Sequence, residues 1–534
     1  MRVVVDYASV VGQTFNLKVI SRLCDLGAID EEISDLVEMG YFLQTRPGDD
    51  PEYVFRNTLL KDVTYNALPL KKRKEIHQKT AQIIETTYRD RLQEFYELLA
   101  FHFLRADDFY KAINYYKLAG DKAKALFAND CALFSYSKVN EIMDLLSLRD
   151  EKYLELRLET SYNISEIYEL IGEYDKMMAE AKSALEIIAS RKDPRREAQF
   201  RELIGLSYIY LNRLKDAFEN LNAALEINKS NNFLDLISSV YVDLGLLNDE
   251  EQNYEMAVYY YNLGYRVALD RDDSQATIKC LINLARLHKE LGNYQLAIDY
   301  LKNALAYAVS HKNRRDEVLV KNYLGEVYLT IGDTNKANRY FKEAFTLASE
   351  ISFIDMIITA SANLSLINAL LDNREPLRDW ITYIDNRLNL GLSKETEITA
   401  ELVRIYVILK LGWEDEASEK LRDLIEKCRS FGHKKAEVMS NLLMTQIDRK
   451  SINWARNALV LAEDINLPEY LWRSQYAMGQ VLMVNGQSEA ALDFFRKAYF
   501  ILDDLKERLR DENLRQSFLS QPEYRHLTEI LEEK

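Results

Sequence analysis

The sequence predicts an all-α chain: a solenoid of helix pairs of about 40 residues each, preceded by a small segment with two strands. Three observations carry this. Met177, Ala217, Ala257, Ala297, Ala337, Leu377 and Ala417 follow one another at steps of forty without an insertion, and five of the seven are alanine. Five residues before them stand Gly172, Asn212, Gln252, Gly292, Gly332, Asp372 and Gly412, residue types that suit a tight turn between helices. Seven prolines and seventeen glycines in 534 residues leave no Pro/Gly-rich linker, so helix is expected nearly throughout. The chain is also too long for one compact core, and a repeat array satisfies that bound.

The first ninety residues differ from the rest. Asn16–Leu26 and Asp30–Met39 read as short amphipathic helices. Tyr41–Thr45 and Tyr53–Arg56 read as strands around the turn cluster Pro47–Gly48–Asp49–Asp50. Leu59–Ala67 and Leu70–Tyr88 read as helices with Pro69 at their boundary. Helices followed by a two-stranded wing make a winged helix. The stretches YASVVGQTF, ISDLVEMGYFLQT and YVFRNTLLKDVTYNALPLKKRKEIHQKTAQIIE resemble the winged-helix segment of STAND-type and adenylate-cyclase-linked bacterial signalling ATPases. That resemblance implies an ATPase domain upstream and a repeat superhelix downstream. It also implies a segment truncated at its N-terminus, since the first winged-helix helix normally starts further from Ala8. Asn57 stands after Phe55–Arg56 where the resembled proteins often have histidine.

The array is expected to follow in three parts. Residues 92–150 hold two shorter units, one on Leu99, Ala100, Phe103, Ala112, Tyr116 and Ala119, the next on Ala132 and Tyr136. Residues 151–465 hold the forty-residue ladder, degenerate after 345. Pro376 marks the weak unit around Leu377, and 435–465 reads as two helices without the small-residue code. Residues 466–534 hold a last unit on Met478, Gly479, Ala491, Phe495 and Ala498, then a charged capping tail. Within the ladder, small residues recur twelve before each anchor (Gly205, Gly245, Ala285, Gly325) and seven after it (Ala184, Ala224, Gly264, Ala304, Ala344). Tyr168, Tyr208, His288 and Tyr328 supply the bulk. This alternation resembles the tetratricopeptide repeat (TPR), in the longer-helix form of kinesin light chains and bacterial signalling ATPases, which implies a right-handed superhelix.

Composition and motifs exclude several functions. A net charge of −16 argues against nucleic acid as the main partner, because phosphate binding needs a basic face. The dense basic run Lys71–Lys72–Arg73–Lys74 reads as a solvated or domain-contact face. No phosphate-binding Gly-rich loop and no nucleophile elbow occur, so no catalytic residue, cofactor or nucleotide site is expected. The six histidines form no ligand-spaced pair, so no metal is expected, and His288 reads as a packed wedge residue. Cys24, Cys131, Cys280 and Cys428 are scattered, as reduced thiols are, and no run approaches a membrane span, which together imply a cytoplasmic chain.

That leaves the groove. The position before the Leu–small pair on each first helix should face the concave side. It reads Asn163, Leu203, Asp243, Asn283, Tyr323 and Asn363, with Lys279, Arg286 and Lys289 around Asn283. Carboxamides suit an extended peptide backbone, and the three cations suggest an acidic side chain or terminal carboxylate in the partner. On this reading Arg286→Ala weakens an acidic partner and leaves stability nearly unchanged. The function expected is a non-enzymatic protein- or peptide-binding scaffold, the sensor or regulatory part of a signalling protein. Two alternatives are the regulatory region of a larger ATPase or cyclase polypeptide, and a DNA-binding regulator acting through the winged helix. Peptide-sensing regulators of the Rap type begin with a helical bundle rather than a wing.

Overall fold

In the computed structural model, which describes all residues except 25–28, 49, 127, 387–391, 393, 533 and 534, one unit runs Met1–Ile167 and a second Tyr168–Lys534. The first opens with α1 (Arg2–Val11), β1 (Thr14–Asn16), α2 (Leu17–Cys24), α3 (Asp30–Glu38), β2 (Phe42–Arg46), β3 (Glu52–Phe55), α4 (Thr58–Ala67) and α5 (Leu70–Thr87). The elements expected from the sequence are present within two residues of their bounds; Leu26 and Asp49 lie outside the described residues. Strand β1 is new. Three residues are too short for a period-two pattern, and pairing defines it: β3 is central in an antiparallel sheet of order β1-β3-β2, with Phe15 opposite Tyr53 and Phe42 opposite Phe55. Phe42 meets Phe15 and Phe55 edge-on, each at 4.9 Å between ring centroids. Asn57 caps α4, its side chain accepting from the Leu59 N–H at 2.8 Å.

The basic run opens α5 and is occupied locally. Lys74 pairs with Asp107, and Arg73 stacks over Tyr65 at 5.0 Å. Next come α6 (Tyr96–Arg105), α7 (Phe109–Ala125) and α8 (Asn129–Leu145). One hydrophobic core runs from Val4 through Ile76 and Ala81 to Leu99, Phe103 and Met143, so the boundary expected at 91/92 is not a break in packing. Helix α7 explains the short period of the first units. Its Ala112 and Ala119 are buried with Ala100 of α6, while its Gly120 faces α8, where an added Cβ would lie 2.6 Å from Tyr136. One helix thus closes the first pair and opens the next. The same unit buries a histidine pair that sequence spacing did not announce, His77 Nδ1 and His102 Nδ1 at 2.8 Å; burial lowers both, to about 4 and about 3.

Helix α9 (Glu151–Leu170) spans the division between the units. The second unit continues as pairs: α10 (Tyr174–Ala189); α11 (Pro194–Tyr210) with α12 (Leu214–Ser230); α13 (Leu234–Glu250) with α14 (Tyr254–Asp270); α15 (Ser274–Glu290) with α16 (Tyr294–Ser310). Then follow α17 (Arg314–Ile331) with α18 (Thr334–Glu350), α19 (Ile354–Leu370) with α20 (Glu375–Asp385), and α21 (Lys394–Lys410) with α22 (Glu414–Phe431). The last are α23 (Lys434–Ile447) with α24 (Ile452–Ile465), α25 (Pro468–Val484) with α26 (Ser488–Glu507), and the tail α27 (Glu512–Leu519) and α28 (Pro522–Glu532).

The turn residues behave as their types require. Gly172, Asn212, Gln252, Gly292, Gly332, Asp372 and Gly412 all have left-handed φ, from +54° to +89°. A second series lies midway: Lys192, Asn232, Asp272, Lys312 and Ser352, at +53° to +58°. The elementary unit is therefore a helix and a turn of twenty residues, and the forty-residue repeat is two of them. The anchors are buried to 1% exposure or less. Sixteen residues separate each small residue from the bulk that covers it: Gly205 from Leu221, Gly245 from Tyr261, Gly325 from Phe341, Gly479 from Phe495. An added Cβ at these glycines would sit 2.5–2.7 Å from that side chain.

Two sequence readings need correction or extension. Residues 435–465 do carry the small-residue code, since Ala455 and Ala462 of α24 are fully buried. Their register is shifted because Asp448 closes the turn by accepting from the Ser451 N–H at 3.2 Å, without a left-handed residue. The tail does more than cover the last pair. Leu505, Leu509, Leu514, Phe518 and Leu527 share one core with Tyr294, Leu324 and Ile331. Helix α20 has Pro376 in its first turn and eleven residues, with Leu377, Trp380 and Ile384 buried.

Candidate functional site

First helices of successive pairs touch directly, α11 to α13, α13 to α15, α15 to α17 and α17 to α19; among the described residues second helices make no comparable contact. The first helices therefore line the inner side of the curve. The curve also closes on itself within the second unit. Tyr254 donates to the Ile465 carbonyl at 2.9 Å, Arg508 to the Leu291 carbonyl at 2.9 Å and Gln521 to the Thr330 carbonyl at 3.2 Å. Each bond joins a turn of the middle repeats to a segment some two hundred residues later.

That face is a track of charged and carboxamide side chains. Glu202 of α11, Asp243 of α13 and Lys279 of α15 face one another, with Glu169 of α9 behind them. Further along, Arg286 pairs with Asp249 at 2.9 Å and Lys289 with Glu326 at 3.2 Å. Asn322 donates to Glu326 at 2.8 Å, and Asn363 to Asn322 at 3.2 Å. Lys435, from the later turn of the coil, pairs with Glu290 at 2.7 Å. The pairs follow one rule. Arg286 and Asp249, like Lys289 and Glu326, are thirty-seven residues apart, one repeat less about a turn of helix.

The electrostatics follow from burial. Asp243 is 3% exposed, and burial pushes its carboxyl up to about 7, against the pull of Lys279 and with a push from Glu169. Burial and the charge of Asp243 push Glu202 up to about 8. Burial opposes the charge of Lys279, but Asp243, Glu169 and Glu202 outweigh it and hold the amine protonated. Arg286 is treated alike: Tyr261, Asp249 and Glu290 overcome burial and keep it charged.

A stability test follows. A carboxyl whose folded pKa is raised keeps its proton in the native state while the unfolded chain has lost it. Stability then falls as pH rises from about 4 to about 8, the range between the unfolded and folded values of Asp243 and Glu202. Asp243→Asn should therefore stabilise the chain by about 1–3 kcal/mol at pH 8 and change little at pH 4. Urea unfolding at the two pH values checks this; equal effects at both would contradict it.

The residues expected from the sequence are distributed as follows. Asp243, Lys279, Asn283, Arg286, Lys289 and Asn363 all lie on first helices of the second unit. Asn163 belongs to the first unit, where it accepts from Lys124 at 2.6 Å. Asn283 is half-buried and donates to the Lys279 carbonyl of its own helix at 2.9 Å. The three cations do not form a bare positive spot, because each faces a carboxylate. The sequence reading missed those carboxylates, Glu202, Asp249, Glu290 and Glu326. For Arg286 and Lys289 the signal was present as an acidic residue thirty-seven positions away, Asp249 and Glu326.

Tetratricopeptide-repeat sequence models match residues 198–231 and 276–350. No curated protein matches the chain. Among solved structures, a Rap protein complexed with competence and sporulation factor is similar with a TM-score of 0.51 and 15% identity, covering 67% of this chain and all of that one. A STAND protein with a tetratricopeptide-repeat sensor from Pyrococcus horikoshii gives 0.40 and 14%, covering 80% of this chain and 62% of that one. Aspartyl phosphate phosphatase F from Bacillus subtilis gives 0.43 and 15%, over 64% and 94% of the two chains. At 15% identity the likeness to the Rap protein shows the fold alone, and with the two sequence matches it gives the conclusion that this chain is an α-solenoid carrying tetratricopeptide repeats.

Proposed function

We propose that the second unit is a non-enzymatic receptor for an extended peptide or protein segment, taken up along the inner face, and that the chain serves as the sensor or regulatory part of a signalling protein. The observation that carries this is the track of buried and half-buried polar side chains on successive first helices. A purely structural interior would be apolar, since buried charges cost several kcal/mol each unless paired. A repeating polar face suits a repeating ligand, which a peptide backbone is. Asp243, Lys279, Asn283, Arg286, Lys289 and Asn363 are the proposed contacts in the second unit; Asn163 lies in the first unit. The Rap protein of similar fold holds competence and sporulation factor, and an occupant of that kind is proposed here on the groove's own chemistry.

The first ninety residues are proposed to be a winged-helix-like segment, on the order of their elements and the sheet order β1-β3-β2. An ATPase or cyclase partner domain is the second reading of function, supported by the resemblance of this segment alone. DNA binding through it is disfavoured. Helix α3 carries Asp30, Glu31, Glu32, Asp35 and Glu38 and no basic residue, so it would repel phosphate. Among the described residues no helix is long and apolar enough to cross a membrane.

Affinity selection of random hexapeptides on the whole chain, followed by calorimetry, tests the proposal. A one-to-one complex with selected peptides is expected, with no heat on addition of ATP. Retention of no peptide, or micromolar nucleotide binding, would contradict it.

A further inference from the structure

We infer that Asp243, flanked by Glu202 and Glu169, is a receptor for a cationic group, the guanidinium or ammonium of a basic residue or free N-terminus in the bound peptide. This rests on the peptide reading above and reverses the preference for an acidic partner that Lys279, Arg286 and Lys289 suggest in the sequence.

The other deeply placed carboxylates of the inner face have their own counter-ions: Asp249 has Arg286, Glu290 has Lys435, Glu326 has Lys289. Asp243 is 3% exposed and makes no hydrogen bond and no ion pair among the described residues. Glu202, one repeat earlier, bonds Ser239 but has no counter-ion within ion-pair distance among the described residues. Lys279 is exposed to the groove and faces the cluster without closing an ion pair among the described residues. Asp243 therefore has no direct counter-ion among the described residues, although it is 3% exposed. A carboxylate without a partner at such depth destabilises the empty protein. A cation entering from the groove would supply the missing hydrogen-bond donors, and charge-assisted bonds of this kind are the strong ones.

The charged and titratable groups facing Asp243 are Glu169 from α9, Glu202 from α11, Tyr261 from α14 and Lys279 from α15. A cation binds the ionised carboxylates. Near pH 7, where Asp243 and Glu202 are partly protonated, binding should release protons, and affinity should weaken as the pH falls.

The test uses the full chain and a positional-scanning hexapeptide library in which one position holds Arg, Lys, citrulline, norleucine or Glu, each set made with a free and an acetylated N-terminus. Arg or Lys at one position should be retained at least tenfold over citrulline and norleucine; if the N-terminal amine is the cation, acetylation should cause the tenfold loss instead. Either preference should vanish in Asp243→Asn and persist in Asp299→Asn, an exposed carboxylate on the second helix α16. Calorimetry in buffers of different ionisation heat should register proton release for wild type and Asp299→Asn but not for Asp243→Asn. Glu202→Gln is a second variant, expected to weaken the basic preference without abolishing it. Peptides retained without charge preference, a preference for Glu, or a basic preference untouched by Asp243→Asn would overturn the inference and leave the peptide reading standing. Retention of no peptide at all would overturn both.

Discussion

Arg286→Ala should destabilise the second unit by about 3–5 kcal/mol, the range for breaking a buried ion pair from one side. The sequence alone suggests the opposite, a groove cation whose loss would matter to a ligand and not to the fold. The structure changes the expectation because Arg286 donates to Asp249 at 2.9 Å, and the side chain of Asp249 is 3% exposed. Removing the guanidinium strands that carboxylate, and Glu290 and Tyr261 lose the charge that faces them. Asp249→Asn in the Arg286→Ala background should recover part of the loss, since it removes the stranded charge. Chemical unfolding of the four proteins of this cycle measures the coupling. A loss below about 1 kcal/mol, the value typical of exposed pairs, would mean that water screens this one.

Phe341→Ala should cost about 3–5 kcal/mol, as a large aromatic truncation in a core does. The more telling result concerns its neighbour. Gly325→Ala in a helix interior ordinarily gains about 1 kcal/mol in propensity. Here the new methyl would lie 2.5 Å from Cε1 and 2.6 Å from Cδ1 of Phe341, which is fully buried and has nowhere to retreat. The overpacking term, roughly 1–3 kcal/mol, should outweigh the propensity gain and make Gly325→Ala destabilising. In the Phe341→Ala background the clash is gone, and the same substitution should become stabilising. A change of sign across this cycle is the signature of the small–large code. Stabilisation by Gly325→Ala in the wild-type chain would contradict it.

The periodic part of the fold was legible because it depends on local geometry. A left-handed turn selects Gly, Asn or Asp, and close helix approach selects Gly or Ala, so the ladder from Met177 to Ala417 appears in the residues themselves. The half-repeat did not appear, since Lys192, Lys312 and Ser352 take up left-handed φ without being residues that advertise it. Neither did the shared role of α7, where Ala112 and Gly120 serve opposite neighbours, nor Ala455, displaced by a shortened turn. Contacts set by the superhelix as a whole left no local trace: nothing near Tyr254 or Gln521 marks them as partners of Ile465 and Thr330. The site proposed here was legible in part. The first-helix positions point to the face proposed for the ligand, but Asp249 and Glu326, which pair with Arg286 and Lys289, sit thirty-seven residues from them and show only once the repeats are aligned in register.

The central claim is that the inner face of the second unit receives the ligand. Hydrogen exchange of the whole chain with and without a selected hexapeptide tests it most directly. The account expects slowed exchange on the first helices α11, α13, α15, α17 and α19, with α12, α14, α16 and α18 unchanged. Protection confined to the second helices, or to residues 1–90, would contradict it.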